Sequence, residues 1–287
     1  MNKVNRILFP TDFSEVAENA FRHAVVWATK YQADIHVINV FNPYLPIGEY
    51  GYTGNIVVET IEEVDIEIKV KLKKFVEKGI AQVVVESTFD FFPNVTSSIE
   101  SGTPENTICR KAEENNFDLI IMGTRGEGHD FWDKVFGTVS HYVVENAKIP
   151  VLLIPPKTAY RTITKVVYAA DLTATQPFRI WQTYELLKEF RPNFHCVHVR
   201  TDKDTRDLQL YELDNYFKAA HPSMPVQFHL VHLDSIEDGM RFAINLWNAE
   251  LLCMYTPHHS LFRQLFSQSN SHNAIDYMNI PLLFLKA

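Results

Sequence analysis

A chain of 287 residues is long for one ordinary domain and comfortable for two. Its 46% hydrophobic and 22% charged residues are near the globular average, so each half can bury a core of its own. The formal net charge of −8 argues against a general nucleic-acid binder and against an anionic membrane surface, but a small anion held by backbone N–H groups remains open.

The first strand is Arg6-Ile7-Leu8-Phe9, closed by Pro10-Thr11-Asp12. Ser14 is placed to cap the following helix, with Glu15 and Glu18 where the helix dipole favours negative charge. Ala17, Ala20, Phe21, Ala24, Val25 and Ala28 fall on one helical face. Asp34 to Val40 is the second strand, and a loop rich in Pro and Gly, from Phe41 to Asn55, leads to a helix with Ile61, Val64, Ile68, Leu72, Phe75 and Val76 on its buried side. An apolar stretch follows at Val83 to Val85, then a strand at about Val95 to Ile99. Thr103 and Pro104 read as the N-cap and first residue of a third helix. Phe117 to Met122 is a continuous apolar strand of the kind a parallel sheet buries on both faces. It runs into Gly123-Thr124-Arg125-Gly126; a helix is predicted from about Thr138 to Asn146, and Ile149 to Ile154 is the last strand.

The pattern then restarts. Lys165 to Asp171 repeats the first strand and its terminal Asp, and Phe194 to Val199 repeats the second. Helices at Phe178 to Phe190 and Leu208 to Ala220 flank that strand, Val226 to Val231 is a further strand, and Ser235 caps a helix ending near Trp247. Leu251 to Thr256 echoes Ile120 to Thr124, and Ile280-Pro281-Leu282-Leu283 echoes Ile149-Pro150-Val151-Leu152. This is an internal duplication at domain scale, with units 1–157 and 158–287. Strands alternating with helices imply doubly wound α/β domains, each a parallel sheet covered on both faces.

Cys109, Cys196 and Cys253 have no metal-type spacing and read as buried free thiols of a reducing compartment. His258-His259 and His272 lack carboxylate or cysteine partners at ligand spacing, and His195 and His198 read as buried strand residues, so no metal site is expected. The N-terminus has no signal-peptide shape and no apolar run reaches membrane-spanning length; a cytoplasmic protein is expected.

Ligands of open α/β sheets bind beyond the carboxyl ends of the strands, at the switch point. Asp12, Val40 and Gly123-Thr124-Arg125-Gly126 should meet there. Gly123 and Gly126 leave space for a ribose and its phosphates. Gly137-Thr138 opens a helix whose first N–H groups attract anions, and the Thr138 and Ser140 hydroxyls add donors. Asp12 belongs near a nucleoside hydroxyl or a metal-bound phosphate. The run is neither a Walker loop nor the dinucleotide fingerprint.

Pro10-Thr11-Asp12-Phe13-Ser14, the turn Gly102-Thr103-Pro104, and Met122-Gly123-Thr124-Arg125-Gly126 followed by Gly137-Thr138 together resemble the universal stress protein family. The resemblance covers the first half and, more weakly, the second. It implies the adenine-nucleotide α-hydrolase-like fold, a Rossmann-like sheet in the order 3-2-1-4-5, with domains paired through the last strand. It also implies ATP or AMP as ligand, with Mg2+ for ATP. Carried over by position, Pro10, Thr11, Asp12 and Val40 hold the adenosine side. Met122, Gly123, Arg125 and Gly126 line ribose and phosphates, and Gly137, Thr138, Val139 and Ser140 hold the phosphates. The family spacing is one residue shorter than the ten residues, Glu127 to Phe136, between Gly126 and Gly137 here. In the second half Tyr255, His258 and about Ser267 stand where Gly123, Gly126 and Gly137 stood, so that half reads as structural and as a built-in pseudo-dimer partner.

No Ser-His-Asp or Cys-His arrangement is recognisable and no general base stands out, so binding is expected, with slow ATP hydrolysis as the upper limit. The expected role is a stress-response protein whose loops, ordered by nucleotide, report to an unidentified regulatory protein; a homodimer is a further expectation. The rival reading is a scaffold or interaction protein without a ligand. A third, an α-hydrolase-like enzyme, lacks its Ser-Gly-Gly-x-Asp type loop after strand one.

Overall fold

The computed structural model describes residues 3–41, 61–86, 91–124, 137–156, 158–159, 162–173, 175–201, 207–255 and 279–286. Chain order in the first half is β1 (Arg6–Pro10), α1 (Glu15–Tyr31), β2 (Asp34–Phe41), α2 (Ile61–Glu86), β3 (Val95–Ser101), α3 (Pro104–Glu114), β4 (Leu119–Gly123), α4 (Thr138–Asn146) and β5 (Val151–Ile154). The second half runs β6 (Lys165–Ala169), α5 (Gln176–Leu187), a 3-10 turn (Lys188–Phe190), β7 (Asn193–Arg200), α6 (Asp207–Ala220), β8 (Val226–His232), α7 (Ile236–Trp247), β9 (Leu251–Tyr255) and β10 (Leu282–Leu285).

The strands form one ten-stranded sheet in the order β3-β2-β1-β4-β5-β10-β9-β6-β7-β8. Each half is parallel and keeps the order 3-2-1-4-5 within itself; the halves meet through β5 and β10, which pair antiparallel with Leu282 opposite Leu153 and Phe284 opposite Val151. These strands alternate apolar residues to both faces, so the core is continuous across the join. Leu152, Ile154, Leu283 and Leu285 enter the layer under α1, α2, α5 and α6. Val151, Leu153, Leu282 and Phe284 enter the layer under α3, α4 and α7.

The duplication is visible in hydrogen bonds as well as in order. Asp118, just before β4, accepts from the backbone N–H groups of Asn5 and Arg6 at 2.8 and 2.9 Å. Glu250, just before β9, accepts in the same way from Thr164 and Lys165 at 2.6 and 3.2 Å.

Local chemistry explains the helix starts. Ser14 caps α1, its Oγ accepting from Ala17 N at 3.2 Å, and Ser235 caps α7, accepting from Asp238 N at 3.0 Å. Two details go beyond the sequence reading, and Thr103 and Pro104 stand as expected at the N-cap and first position of α3. Val83 to Val85 does not stand apart from the helix before it but forms the last turns of α2, with Val83 buried. Thr103 makes no side-chain cap on α3; its Oγ1 accepts from Asn106 Nδ2 at 3.0 Å, and its backbone carbonyl accepts from Thr107 N. Gly102 in that turn has φ +141°, and a Cβ there would stand 2.7 Å from Thr107 Oγ1, so the position requires glycine.

Beneath the join, Trp27 and Tyr31 at the end of α1 pack on Phe190, with ring centroids 4.9 and 5.7 Å away. The Tyr31 hydroxyl donates to the Leu186 carbonyl. Asn19 Nδ2 donates to the carbonyls of Pro155 and Thr158 at 3.2 and 3.1 Å, fastening the segment between the halves to α1.

Candidate functional site

The crevice of the first half lies beyond the carboxyl ends of β2, β1, β4 and β5. The chain leaves β1 at Pro10, and Thr11 N still donates to Ile38 O of β2 at 2.8 Å. Asn39 then locks this exit: its Nδ2, on a side chain only 8% exposed, donates to Thr11 O at 2.8 Å. Asn39 was not among the sequence candidates; its signal is an amide inside an otherwise apolar strand end.

Asp12 is exposed, and its Oδ1 accepts from Ser14 N at 3.0 Å and Ser14 Oγ at 2.6 Å. That turn places Phe13 at φ 65° and aims the start of α1 at the crevice. The other carboxylate oxygen of Asp12 has no hydrogen-bond partner among the described residues.

On the far side, Met122 and Gly123 end β4, and Thr124 N donates to Ile154 O at 3.0 Å. A Cβ at Gly123 would lie 2.8 Å from Val16 Cγ1 in the first turn of α1. The glycine therefore admits the close approach of α1 to β4, a constraint additional to any ligand. Thr124 is 1% exposed, and its carbonyl accepts from Gly137 N at 2.7 Å and from Ser140 Oγ. Ser140 is buried, and its hydroxyl also lies 3.0 Å from Gly137 O. This corrects one expectation: the Ser140 hydroxyl fastens α4 to β4 and is not aimed outward as a ligand donor.

What remains open at that end is backbone. Gly137 is the N-cap of α4, with φ −70° and ψ 160° and no side-chain cap bond. The N–H groups of Thr138, Val139 and Ser140 belong to a first helical turn, which has no intrahelical acceptors, and none is supplied among the described residues. Thr138 is exposed, while Val40 and Val139 are half-buried against the layer that includes Met122. Pro10, Thr11, Asp12, Val40, Met122, Gly123, Gly137, Thr138, Val139 and Ser140 thus all lie at one edge of the sheet. Arg125 and Gly126, the segment from Glu127 to Phe136 and the loop from 42 to 55 lie outside the described residues.

A sequence profile described as the Universal stress protein family matches residues 3–155. The chain belongs to the universal stress protein family. It is 29% identical to the universal stress protein MJ0531 of Methanocaldococcus jannaschii over 155 residues, 53% of this chain and 83% of that one. It is 25% identical to the universal stress protein Slr1230 of Synechocystis over 293 aligned residues, 98% of this chain and 99% of the relative. The crystal structure of a universal stress protein from Archaeoglobus fulgidus superposes with a TM-score of 0.70 at 18% identity, covering 99% of this chain and 97% of that one, and shows the shared fold.

The second half of this universal stress protein keeps the frame and changes the crevice. Ala170 N donates to Val197 O at 2.8 Å, and His198 Nδ1 lies 3.0 Å from Ala170 O, as Asn39 bonds Thr11 O in the first half. Asp171 Oδ1 accepts from Thr173 Oγ1 at 2.9 Å across Leu172, which has φ 53°. At the register position of Gly123 stands Tyr255, 6% exposed. The Arg179 guanidinium lies over its ring at 3.5 Å and pairs with Asp171 Oδ2 at 3.4 Å. This cluster stands at the strand end where the first half has glycine. His258, His259, Ser267 and His272 lie outside the described residues.

His195 is 3.1 Å from His229 Nε2 and stacked on Trp247 at 4.9 Å; burial, then the neighbouring His229 and Lys165, pushes its pKa below the ordinary value. Burial raises the Cys109 thiol to about 11, and raises Cys196 and Cys253 as well, so none is an activated nucleophile. Among the described residues no cluster of three or more His, Cys, Asp or Glu is arranged to hold a metal, and no helix is long and apolar enough to cross a membrane.

Proposed function

We propose that the first half binds an adenine nucleotide, ATP or AMP, and that the protein acts as a cytoplasmic stress-response protein by binding rather than turnover. The observation that carries the reading is the start of α4, which has no side-chain cap and whose Thr138, Val139 and Ser140 N–H groups have no acceptor among the described residues, at the same end of the sheet as Asp12. An anion satisfies those donors and meets the positive end of the helix dipole. The family resemblance supports a nucleotide phosphate as that anion. Pro10, Thr11, Asp12 and Val40 face the adenosine side; Met122, Gly123, Arg125 and Gly126 the ribose and phosphates; Gly137, Thr138, Val139 and Ser140 the phosphates. Mg2+ enters with ATP, carried by its phosphates, and Asp12 is the carboxylate at hand. The second half, unit 158–287, serves unit 1–157 as internal partner, and the Asp171–Arg179–Tyr255 cluster keeps nucleotide out of it. Nucleotide-dependent ordering then signals to a regulatory protein.

A nucleotide at about a hundred times its dissociation constant stabilises the native state by roughly 2.7 kcal/mol. ATP and AMP should therefore raise the melting temperature, NAD should not, and Thr138→Glu should abolish the shift. That substitution adds a negative charge which suits a helix start but repels phosphate, so the unliganded protein keeps its stability. Absence of any shift in the native sequence favours a scaffold without ligand, for which the extra residue before Gly137 is the supporting feature.

A further inference from the structure

We infer that the second half works as a clamp on the two helices that flank the crevice, with Lys286 as the residue that positions α4. The inference rests on the nucleotide reading above and assigns to the second half a task beyond covering β5.

Both helices start at the crevice and end on the second half. α1 starts beside Asp12, under the Ser14 cap, and ends at Trp27 and Tyr31. There the Trp27 and Tyr31 rings pack on Phe190, and the Tyr31 hydroxyl donates to Leu186 O, both beyond the join. α4 starts at Thr138, after its N-cap Gly137, and ends at Asn146. Val144 lies in its last turn, where carbonyls lack intrahelical partners. Lys286, the residue after β10, donates its Nζ to that Val144 carbonyl. The residue after the last strand of the second half thus bonds a C-terminal carbonyl of a helix in the first, and it brings a cation to the negative end of the dipole.

The surroundings of Lys286 fit this task. Its side chain is half-buried near Cys109 of α3 and Glu145 of α4, and desolvation lowers its pKa to about 8 despite the opposing influence of those two groups. Pairing of Leu282 with Leu153 fixes where β10 ends, and so where Lys286 reaches α4. At its other end α4 is tied down by Gly137 N and Ser140 Oγ on a single carbonyl, that of Thr124. A short helix moves as a rod, so releasing one end displaces the other, where the phosphate donors lie.

The test is Lys286→Met in the full chain, titrated with ATP and with adenosine. Loss of the clamp should weaken ATP about two- to fivefold, the range expected of a charge at a helix end, and leave adenosine unchanged, because α4 faces phosphates. Lys286→Arg should restore most of the loss, and Tyr31→Phe, acting through α1, should shift adenosine as well. Equal affinity of Lys286→Met and native protein for ATP, or equal weakening of ATP and adenosine, overturns the clamp. Should the native protein bind no nucleotide, the nucleotide reading fails by itself, and hydrogen exchange then decides the clamp. Faster exchange at His141 and Tyr142, whose N–H groups close the first turn of α4, supports it in Lys286→Met, and unchanged exchange refutes it.

Discussion

Protonation of His23 should destabilise the fold in mild acid. The side chain lies on α1, is 4% exposed, and its Nε2 is 3.4 Å from Thr158 O in the segment between the halves. Burial, opposed by that backbone hydrogen bond and helped by Arg22, lowers its pKa from 6.5 to about 4. Between those values the unfolded chain binds a proton that the native state refuses, so stability is full above the unfolded pKa and falls as pH drops. The difference, RT ln[(1 + 10^(6.5−pH))/(1 + 10^(4−pH))], is near zero at pH ~7.5 and about 2 kcal/mol at pH ~5. Urea unfolding of native protein and His23→Gln at both pH values measures it. The glutamine keeps an N–H donor and cannot titrate, so the native protein should lose about 2 kcal/mol more than the variant. His36, His195 and His229 also have lowered pKa values but titrate in both proteins and cancel. Parallel losses would refute the assignment of the acid response to His23.

Gly123→Ala should cost about 1–3 kcal/mol in a thermal melt, because the new Cβ meets Val16 Cγ1 at 2.8 Å and α1 must shift. Ser140→Ala removes the side-chain donor to the buried Thr124 carbonyl and should cost about 1–2 kcal/mol while weakening ATP, read by melting with and without nucleotide. Arg179→Met should destabilise by about 1–3 kcal/mol, since Asp171 loses its cation and Tyr255 its stacked partner; adding Asp171→Asn should recover part of this, seen in a double-mutant cycle. Iodoacetamide at pH ~8 should modify Cys109 slowly, and Cys196 and Cys253 only after unfolding, because burial raises all three thiol pKa values and the latter two are enclosed.

The architecture explains how the halves can share a frame and differ in their strand-end residues. β5 and β10 share one pairing and one apolar alternation, so joining them removes a sheet edge from each half and, among the described residues, leaves β3 and β8 as the terminal strands. That benefit needs only the strands and survives changes in the loops beyond them. Tyr255 and Arg179 mark such a change: the frame bonds of Ala170 and His198 persist while the glycine position closes.

Periodicity and turn chemistry made the order of elements legible, because a helix face repeats every 3.6 residues and a buried strand is a continuous apolar run. Hence Ser14, Pro104, the strand of Leu119 and the echo of Ile149-Pro150 in Ile280-Pro281 could be read directly, as could the family to which Gly123 and Gly137 point. Tertiary structure alone decided what each polar atom faces. The Ser140 hydroxyl turns to Thr124 O, Asn39 ties two strand ends, Gly123 yields to Val16, and Lys286 reaches Val144 across the join. Those contacts join residues up to 142 positions apart, and local propensity carries no information over that separation. Packing chooses the partner, and the sequence shows only that one is needed.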